Sequence, residues 1–289
     1  MGKKKNTPEA LGIPREIPAG TEVLSVRNMS KKFGEVEALI KVNLSLRAGE
    51  VHALVGGNGA GKTTLVSILC GFLKPSSGDL YVYGRKRELH SPNDARHLGI
   101  GTVHQQLVLI ENMSVVANLF LGRELFLPPP LKWLRIMDLR KMQRIAVSEL
   151  KRLRINIPFL GEQVMKLSGG QRQGVVCARA LMGNSQVMLM DEPTAALGIK
   201  EGGEVIQLIN SIRNEGAAVL LISHNLKEVF AMSQRITVLR LGQVVAEGVE
   251  TAKLTEEEVV GLITGAIESM DEYEANRGNR PAGGYGAYA

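Results

Sequence analysis

Residues 51–69, VHALVGGNGAGKTTLVSIL, constrain the fold more than any other stretch of the chain. A short apolar run leads into a glycine-rich loop, and the loop leads into a helical pattern. From Gly56 to Thr63 the loop fits the phosphate-binding pattern G-x-x-x-x-G-K-[ST], which requires a strand before it and a helix after it. The alternative is a simple glycine turn before a helix, which the agreement of strand, loop and helix disfavours.

Each residue type in this loop suits a triphosphate. Backbone N–H groups at Gly59, Gly61 and Lys62 could approach the phosphate oxygens, which bulky side chains would block. Lys62 adds a positive charge, and Thr63 offers a hydroxyl to Mg²⁺. The predicted ATP contacts in the loop are Gly56, Gly57, Asn58, Gly59, Ala60, Gly61, Lys62, Thr63 and Thr64.

The chain alternates strand-like and helical patterns around this loop. Residues 186–193 and 217–224 are apolar runs of strand length, and each is followed by a helical pattern, at 200–216 and 225–234. This alternation is typical of a parallel sheet covered by helices. We therefore expect an α/β fold with a parallel-sheet core.

An antiparallel flank is predicted before and after that core. Residues 22–33 and 38–50 alternate apolar and polar side chains, and hairpins are expected near Gly84 and Gly242. From about 112 to 165 the pattern is helical, which indicates an inserted helical subdomain. The predicted boundaries are a disordered extension at 1–20, a domain at 21–265 with the helical subdomain at about 106–165, and a low-complexity tail at 266–289.

Two adjacent carboxylates follow the apolar run VMLM. Asp191 at the end of a buried strand could hold the hydration shell of Mg²⁺, and Glu192 could polarise water for attack on the γ-phosphate. An isolated Asp-Glu pair is more often a helix cap. Beside a phosphate loop, the catalytic interpretation is favoured.

Three other side chains are candidates at the same site. Gln105 follows an apolar strand and could reach the metal or the water, although Gln106 is an alternative. His224 ends another predicted strand, where it could bond the γ-phosphate or be a structural histidine. Phe33 belongs either to the core or to an adenine-stacking surface.

A second anion cradle occurs more than a hundred residues later, in LSGGQRQGVVCARAL. A hydroxyl and two glycines stand directly before a predicted helix, whose N-terminal N–H groups attract phosphate. The cradle residues are Ser168, Gly169, Gly170 and Gln171.

Composition excludes several classes of function. The net charge of +6 invites a nucleic-acid interpretation, but with aromatic residues at only 4% no basic and stacking stripe is visible, so we expect no nucleic acid. Cys70 and Cys177 are far apart without metal-like spacing, and both are predicted to be buried in a reducing compartment. No apolar run is long enough to span a bilayer, and any membrane role is expected to be peripheral.

GGNGAGKTT, Gln105, LSGGQRQ, VMLMDEPT and His224, in this order and spacing, closely resemble the ATP-binding subunits of ABC transporters. The resemblance covers roughly residues 22–262 and implies a P-loop NTPase (RecA-like) fold. Residues 103–124 and 191–201 resemble in particular the ATPases of bacterial importers for simple sugars of the ribose, xylose and fructose type.

The resemblance implies a partner for the second cradle. In this family the Ser168 stretch closes over ATP held by a second subunit, so a homodimer is expected to enclose two ATP molecules. The helical subdomain would receive a transmembrane permease, with an extracytoplasmic sugar-binding protein acting indirectly. Location at the cytoplasmic face of the plasma membrane follows from the same resemblance.

Two features depart from the family pattern. Gly198 stands where many members have Asp, which puts communication between the two sites in doubt, and this chain has one cassette where sugar importers often fuse two. A different ATPase half is therefore an alternative to a homodimer. The rival functions are a soluble ABC ATPase acting on ribosomes or nucleic acid and a binding-only regulatory subunit.

Overall fold

The structure is a computed structural model that describes residues 14, 17–103, 109–128, 131–182, 185–195, 197–271 and 273. Two sheets and eight α-helices make up this described part of the chain. The strands are β1 (Glu22–Phe33), β2 (Val36–Arg47), β3 (Val51–Val55), β4 (Ser77–Val82), β5 (Arg85–Arg87), β6 (Ile100–Val103), β7 (Val187–Asp191), β8 (Ala218–Ile222), β9 (Arg235–Arg240) and β10 (Gln243–Glu250). The helices are α1 (Lys62–Leu69), α2 (Pro92–His97), α3 (Val115–Leu119), α4 (Leu139–Arg152), α5 (Gly169–Leu181), α6 (Ile199–Asn214), α7 (Leu226–Met232) and α8 (Glu256–Thr264).

The larger sheet is the predicted parallel core. Its strand order is β10-β9-β3-β8-β7-β6, and every neighbouring pair is parallel except β9 with β10. Strands β3 and β8 are buried along their whole length. Burial on both faces explains why these strands are apolar runs without polar alternation.

The smaller sheet is the antiparallel flank, with strand order β2-β1-β4-β5. The predicted turns are confirmed, since Gly84 lies between β4 and β5 and Gly242 between β9 and β10, both with positive φ. Gly242 also joins the two sheets. Its carbonyl accepts from the amide of Ile40 at 2.8 Å, and its own amide donates to the carbonyl of Ala60 at 3.0 Å.

Two helices end shortly before a left-handed glycine. Helix α1 stops at Leu69, because Gly71 turns the chain at φ 75° where a Cβ would lie 2.4 Å from the Ser91 carbonyl oxygen. Within the region of helical pattern at 112–165, α3 extends only from Val115 to Leu119, and Gly122 follows at φ 73°. A left-handed glycine after a helix is a standard stop signal.

The helical subdomain packs on the larger sheet through α5. This helix contacts α3, α4 and α6 as well as β6. Cys177 lies in α5 and Cys70 follows α1; both are buried, free thiols, as predicted. Burial raises the pKa of the Cys70 thiol to about 11 and that of Cys177 to about 12.

Individual residues outside the predicted limits of 21 and 265 also contact the domain. The Gly20 amide donates to the Ala48 carbonyl at 2.8 Å, and the Ile17 side chain packs on the core. At the other end Met270 is buried, and the Tyr273 hydroxyl donates to Glu258 at 2.9 Å. These residues pack although their local sequence has little periodicity, because their partners are supplied by β2 and α8.

Candidate functional site

The carboxyl ends of the parallel strands bring the predicted site residues to one edge of the larger sheet. β3 runs into the glycine-rich loop. Its neighbour β8 ends at Ile222, and Ser223 and His224 follow directly. β7 ends at Asp191, which pairs with Ile222 of β8. Ligands of such sheets bind at this edge.

Glycine is required at two points of the loop by close backbone contacts. A Cβ on Gly56 would lie 2.2 Å from the Leu239 carbonyl oxygen, and one on Gly61 would lie 2.5 Å from the Ala38 carbonyl oxygen. Gly59 has φ 75°, and nothing lies within 4 Å of the position of its Cβ. The loop is therefore packed on the fold at both ends and has open space at Gly59, as a cradle for phosphate needs.

Lys62 begins α1 and folds back over the loop. Its Nζ donates to the carbonyl oxygens of Gly56 at 2.7 Å and Gly57 at 2.9 Å. Burial lowers the pKa of Lys62, while the charges of Glu192 and Asp191 oppose that shift. The cation is thus held within electrostatic range of both predicted carboxylates.

Glu192 has a strained backbone and a polar side-chain partner. Its φ is 52°, a value that non-glycine residues rarely adopt, and its amide donates to the Ile222 carbonyl at 2.8 Å. Strained backbone of this kind costs of order 1–3 kcal/mol and clusters at functional sites. The strain turns the chain so that Glu192 lies beside His224 of the adjacent strand.

The His224 Nδ1 lies 2.6 Å from Oε2 of Glu192. The Glu192 side chain is only 15% exposed, whereas that of His224 is 77% exposed. An exposed imidazole can meet a ligand while its other edge orients the carboxylate. The sequence analysis placed both residues at the site but did not predict their contact.

The remaining candidates lie in different settings. Phe33 ends β1 with 47% of its surface exposed and the Lys31 Nζ 5.0 Å from its ring centre, so it is not a core residue. The adenine-stacking role stays a prediction. Gln105, with its alternative Gln106, lies outside the described residues.

The second cradle is built as a helix N-terminus. Ser168 Oγ accepts from the Gln171 amide at 3.2 Å, and the Gln171 side chain accepts from the Ser168 amide at 3.1 Å. A Cβ on Gly169 or Gly170 would lie 2.7 Å from a side chain of Leu197 or Glu204. The two glycines therefore let α5 approach the segment that precedes α6 and α6 itself.

Ser168 faces a cavity of about 700 Å³ that lies beside α5 and α6. Ser168, Gly170 and Gln171 line it together with residues 153–156 and polar side chains of α6. The glycine-rich loop of Gly56 to Thr64 is not part of this lining. Within the described residues, the two predicted cradles thus face different spaces.

The residues at the sheet edge fit Mg²⁺ in the way that phosphate-bound Mg²⁺ is normally held. No group of three or more His, Cys, Asp or Glu side chains is placed to hold a metal in the described ranges. Mg²⁺ at nucleotide sites needs only one or two protein ligands, because phosphate oxygens and water supply the others. Asp191 and the Thr63 hydroxyl at the start of α1 suit that sparse set.

The sequence analysis missed a basic cavity of about 360 Å³ between α2, β6 and α5. Arg96, Arg123 and Arg179 line it, and within the described part of the chain none of them has an acidic partner. Burial and the positive charge of Arg96 lower the pKa of Arg179. Burial and the charges of Arg96 and Arg179 likewise lower the pKa of Arg123. The three arginines are far apart in the sequence, so no local pattern indicates that they line one cavity.

Among the described helices, none has both the length and the apolar character that crossing a bilayer requires.

Comparison with known proteins gives one consistent result. Residues 39–195 match the family described as ABC transporter. The fructose import ATP-binding protein of Rhizobium meliloti is 40% identical over 252 residues, which cover 86% of this chain and 96% of that protein. The xylose/arabinose import ATP-binding protein of Sulfolobus acidocaldarius is 39% identical over 90% of this chain and 99% of that protein.

Other relatives are about twice as long as the matched region. The ribose import ATP-binding protein of Chromobacterium violaceum is 42% identical over 86% of this chain, and the match spans 48% of that protein. These lengths agree with the prediction that related sugar-import ATPases often contain two cassettes.

Solved structures agree with the sequence comparisons. A nucleotide-free ATP-binding cassette from an ABC transporter has a TM-score of 0.71 and 28% identity, covering 88% of this chain and 99% of that one. A dimeric cassette in a post-hydrolysis state, bound to ADP and phosphate, has a TM-score of 0.61 and 29% identity over 76% and 96% of the two chains. The family match covers more than half of the chain, and two relatives are 39–40% identical over almost their whole length, so the chain belongs to the ABC transporter family as one of its ATPase cassettes.

Proposed function

We propose that this chain is the Mg²⁺-dependent ATPase subunit of an importer for a simple sugar. The sugar class is supported by the relatives, which are import ATP-binding proteins for fructose, for xylose and arabinose, and for ribose. A separate permease carries the sugar across the membrane, and an extracytoplasmic binding protein delivers it. The chain lies at the cytoplasmic face of the membrane, held there by the permease.

The observation that carries hydrolysis is the contact between Glu192 and His224 at the sheet edge that also holds Lys62. Lys62 binds the phosphates, Glu192 polarises the attacking water, and His224 orients Glu192 and contacts the γ-phosphate. Asp191 and Thr63 would hold Mg²⁺, which would supply positive charge to neutralise the phosphates. Gln105 completes the set beside the metal or the water.

The site becomes complete when two copies of the chain meet. Ser168 and its neighbours line a space apart from the glycine-rich loop, which supports binding of a nucleotide on a second subunit. The positive end of α5 and the exposed Ser168 suit a phosphate presented from outside. Two ATP molecules are then enclosed between two chains, and loss of the γ-phosphate releases them.

The basic cavity between α2, β6 and α5 is the proposed permease contact. Ile100, Gly101 and Thr102 of β6 line it, and three arginines with no acidic partner in the described chain give it a positive charge. A permease segment carrying a carboxylate suits this charge. Movement at this contact would reach the nucleotide through β6.

The first experiment is sedimentation of purified Glu192→Gln protein with and without Mg-ATP. We expect a monomer without nucleotide and a dimer with it, because the variant holds ATP without turning it over. The matched control is Glu192→Gln with Ser168→Arg, which should bind ATP and stay monomeric. If Glu192→Gln protein binds ATP yet remains a monomer, the homodimer is contradicted. The second half of each site would then come from a different ATPase subunit.

The sugar is tested by uptake of labelled fructose, xylose and ribose in cells that express the chain with its own permease. One sugar should enter in proportion to ATPase activity, and Glu192→Gln should abolish its entry. ATPase activity with no uptake of any of the three would contradict the sugar assignment and leave the ATPase assignment intact.

A further inference from the structure

Residues 125–128 and 131–139 contain two paired arms and a turn that lead into α4, and together they are named the 125–139 hairpin. Phe126 and Met137 pair as an isolated antiparallel bridge, and the Leu127 amide donates to the Ile136 carbonyl at 2.9 Å. Residues Leu131–Leu134 form a 3-10 turn between these two arms. The described backbone of the two arms is therefore joined by regular hydrogen bonds.

This hairpin exposes more large apolar side chains than any segment of comparable length in the described chain. Trp133 is the extreme case, with 78% of its surface exposed. The exposed apolar residues of the hairpin are Phe126, Trp133, Leu134, Ile136, Met137 and Leu139. A cluster of this size marks an interaction surface, whereas single exposed apolar residues do not.

The charges around the cluster are almost all positive. Residues 125–144 contain five cations and one acid, Asp138. Asp138 caps α4, with its Oδ1 accepting from the Lys141 amide at 3.0 Å, and this keeps its carboxylate on the helix terminus. The cations are Lys132, Arg135, Arg140, Lys141 and Arg144, of which the last two and Arg140 lie exposed on the first turns of α4.

We propose that the 125–139 hairpin and the first turns of α4 bind the surface of an anionic lipid bilayer. Trp133 and its apolar neighbours enter the headgroup region, and Arg140, Lys141 and Arg144 pair with lipid phosphates. Tryptophan with leucine-like side chains on one side and Lys or Arg beside them is the composition of interfacial membrane contacts. Anionic lipids attract such basic segments, and each Lys or Arg close to the surface strengthens binding about fivefold.

A lipid surface suits this hairpin better than a protein groove. The exposed apolar residues lie on a turn and its two arms, and the exposed cations of α4 follow them directly in the chain. The contact goes beyond the proposed sugar import and concerns how the ATPase itself meets the membrane. This membrane contact can hold or fail independently of the sugar assignment, because titration of the protein with vesicles uses no permease and no nucleotide.

Trp133 makes the test direct, because it is the single tryptophan of the chain. The full-length protein is titrated with vesicles of phosphatidylcholine that contain 30% phosphatidylglycerol, in about 0.1 M salt. We expect the Trp133 emission to shift to shorter wavelength and to become protected from acrylamide. Pure phosphatidylcholine vesicles should give at most a small shift, and added salt should weaken binding.

Two pairs of variants separate this surface from the rest of the protein. Arg140→Glu with Arg144→Glu should weaken vesicle co-sedimentation about 25-fold or more, at about fivefold for each lost cation. Lys74→Glu with Arg85→Glu, two exposed positions on the antiparallel flank, changes the net charge equally and should have little effect. Trp133→Ser should weaken co-sedimentation, whereas Val260→Ser, at an exposed apolar position on α8, should not.

Three results would overturn the proposal. The first is an unchanged Trp133 emission with no co-sedimentation on anionic vesicles. The second is an equal loss of co-sedimentation in the test variants and in their control variants, which would place binding elsewhere on the protein. The third is protection of Trp133 only when the permease is present, which would make the occupant a protein. ATPase activity should be the same in all the variants, so failure here leaves the proposed function untouched.

Discussion

His224 and Glu192 meet through one short contact of 2.6 Å between Nδ1 and Oε2, although they follow two different strands of the parallel sheet. The contact joins a largely exposed imidazole to a largely buried carboxylate. Because the imidazole holds one carboxylate oxygen, the other is free to meet water, and the two side chains should act as a unit.

Glu192→Gln should lower ATP turnover by about 10²–10⁴-fold while nucleotide binding is kept, since a neutral amide cannot polarise water as a carboxylate does. His224→Ala should also lower turnover with little change in binding. In the double variant the two losses should not add, because each removes the same unit. Steady-state ATPase assays with nucleotide-binding titrations test this, and fully additive losses would separate the two roles.

Lys62→Ala should weaken ATP binding by about 10²-fold or more. A unit charge pair at about 4 Å in a partly screened site is worth about 4 kcal/mol before desolvation, and part of that is lost with the cation. Fluorescent ATP-analogue titration measures the change. Lys74→Ala, which removes an exposed lysine outside the glycine-rich loop, serves as the control and should bind normally.

Ser168→Ala should lower the free energy of unfolding by about 1 kcal/mol, because α5 loses its capping oxygen. It should also lower cooperative ATP hydrolysis. Thr255→Ala removes the equivalent cap of α8, where Oγ1 accepts from the Glu258 amide at 3.2 Å. That control should cost similar stability without altering cooperativity, and equal losses of cooperativity in both variants would reduce Ser168 to a helix cap.

Gly56→Ala should destabilise the protein, because the new methyl group would lie 2.2 Å from a backbone oxygen of β9 that cannot move away alone. We expect a loss of about 1–3 kcal/mol, as for other overpacked positions. Gly203→Ala in α6 has open space around it and should raise stability by roughly 0.5–1 kcal/mol. Denaturant unfolding of both variants distinguishes the close contact from a general effect of glycine.

Stability should depend on pH through His52, which is buried with Nε2 2.8 Å from the Thr237 hydroxyl. Burial lowers the pKa of His52, and the nearby Glu50 only partly opposes this. Below about pH 6.5 the unfolded chain therefore takes up a proton that the folded chain does not. The free energy of unfolding should fall as the pH decreases, by up to about 1.4 kcal/mol per pH unit.

His52→Gln should remove this slope while keeping a hydrogen-bonding side chain near Thr237. Urea unfolding of both proteins between pH 7.5 and 5 gives the comparison. An identical slope in the variant would assign the dependence to other groups.

The parallel core and the position of site residues at strand ends could be predicted from sequence, because each depends on local patterns. Residues 51–69 carry their own strand, loop and helix signals, and the apolar run before Asp191 indicates a buried parallel strand. The contact between Glu192 and His224 could not be predicted, because it depends on the left-handed turn at Glu192 and on the pairing of β7 with β8.

Helix ends and short helices were also beyond the sequence patterns. α2 begins at Pro92 after the Ser91 cap and is only six residues long, too short for a clear periodicity. α8 was not expected, although Thr255 and Glu258 form a capping box that could have revealed it. The burial of Met270 depends on packing against distant elements, and no local pattern encodes it.

The two backbone hydrogen bonds of Gly242 tie the glycine-rich loop, through Ala60, to β2, through Ile40. β2 in turn forms a hairpin with β1, at whose end Phe33 lies. A nucleotide whose phosphates rest on the loop and whose base stacks on Phe33 would span a fixed distance. The two sheets would then select ligand length before any chemistry begins, and side-chain changes at either end would not alter that selection.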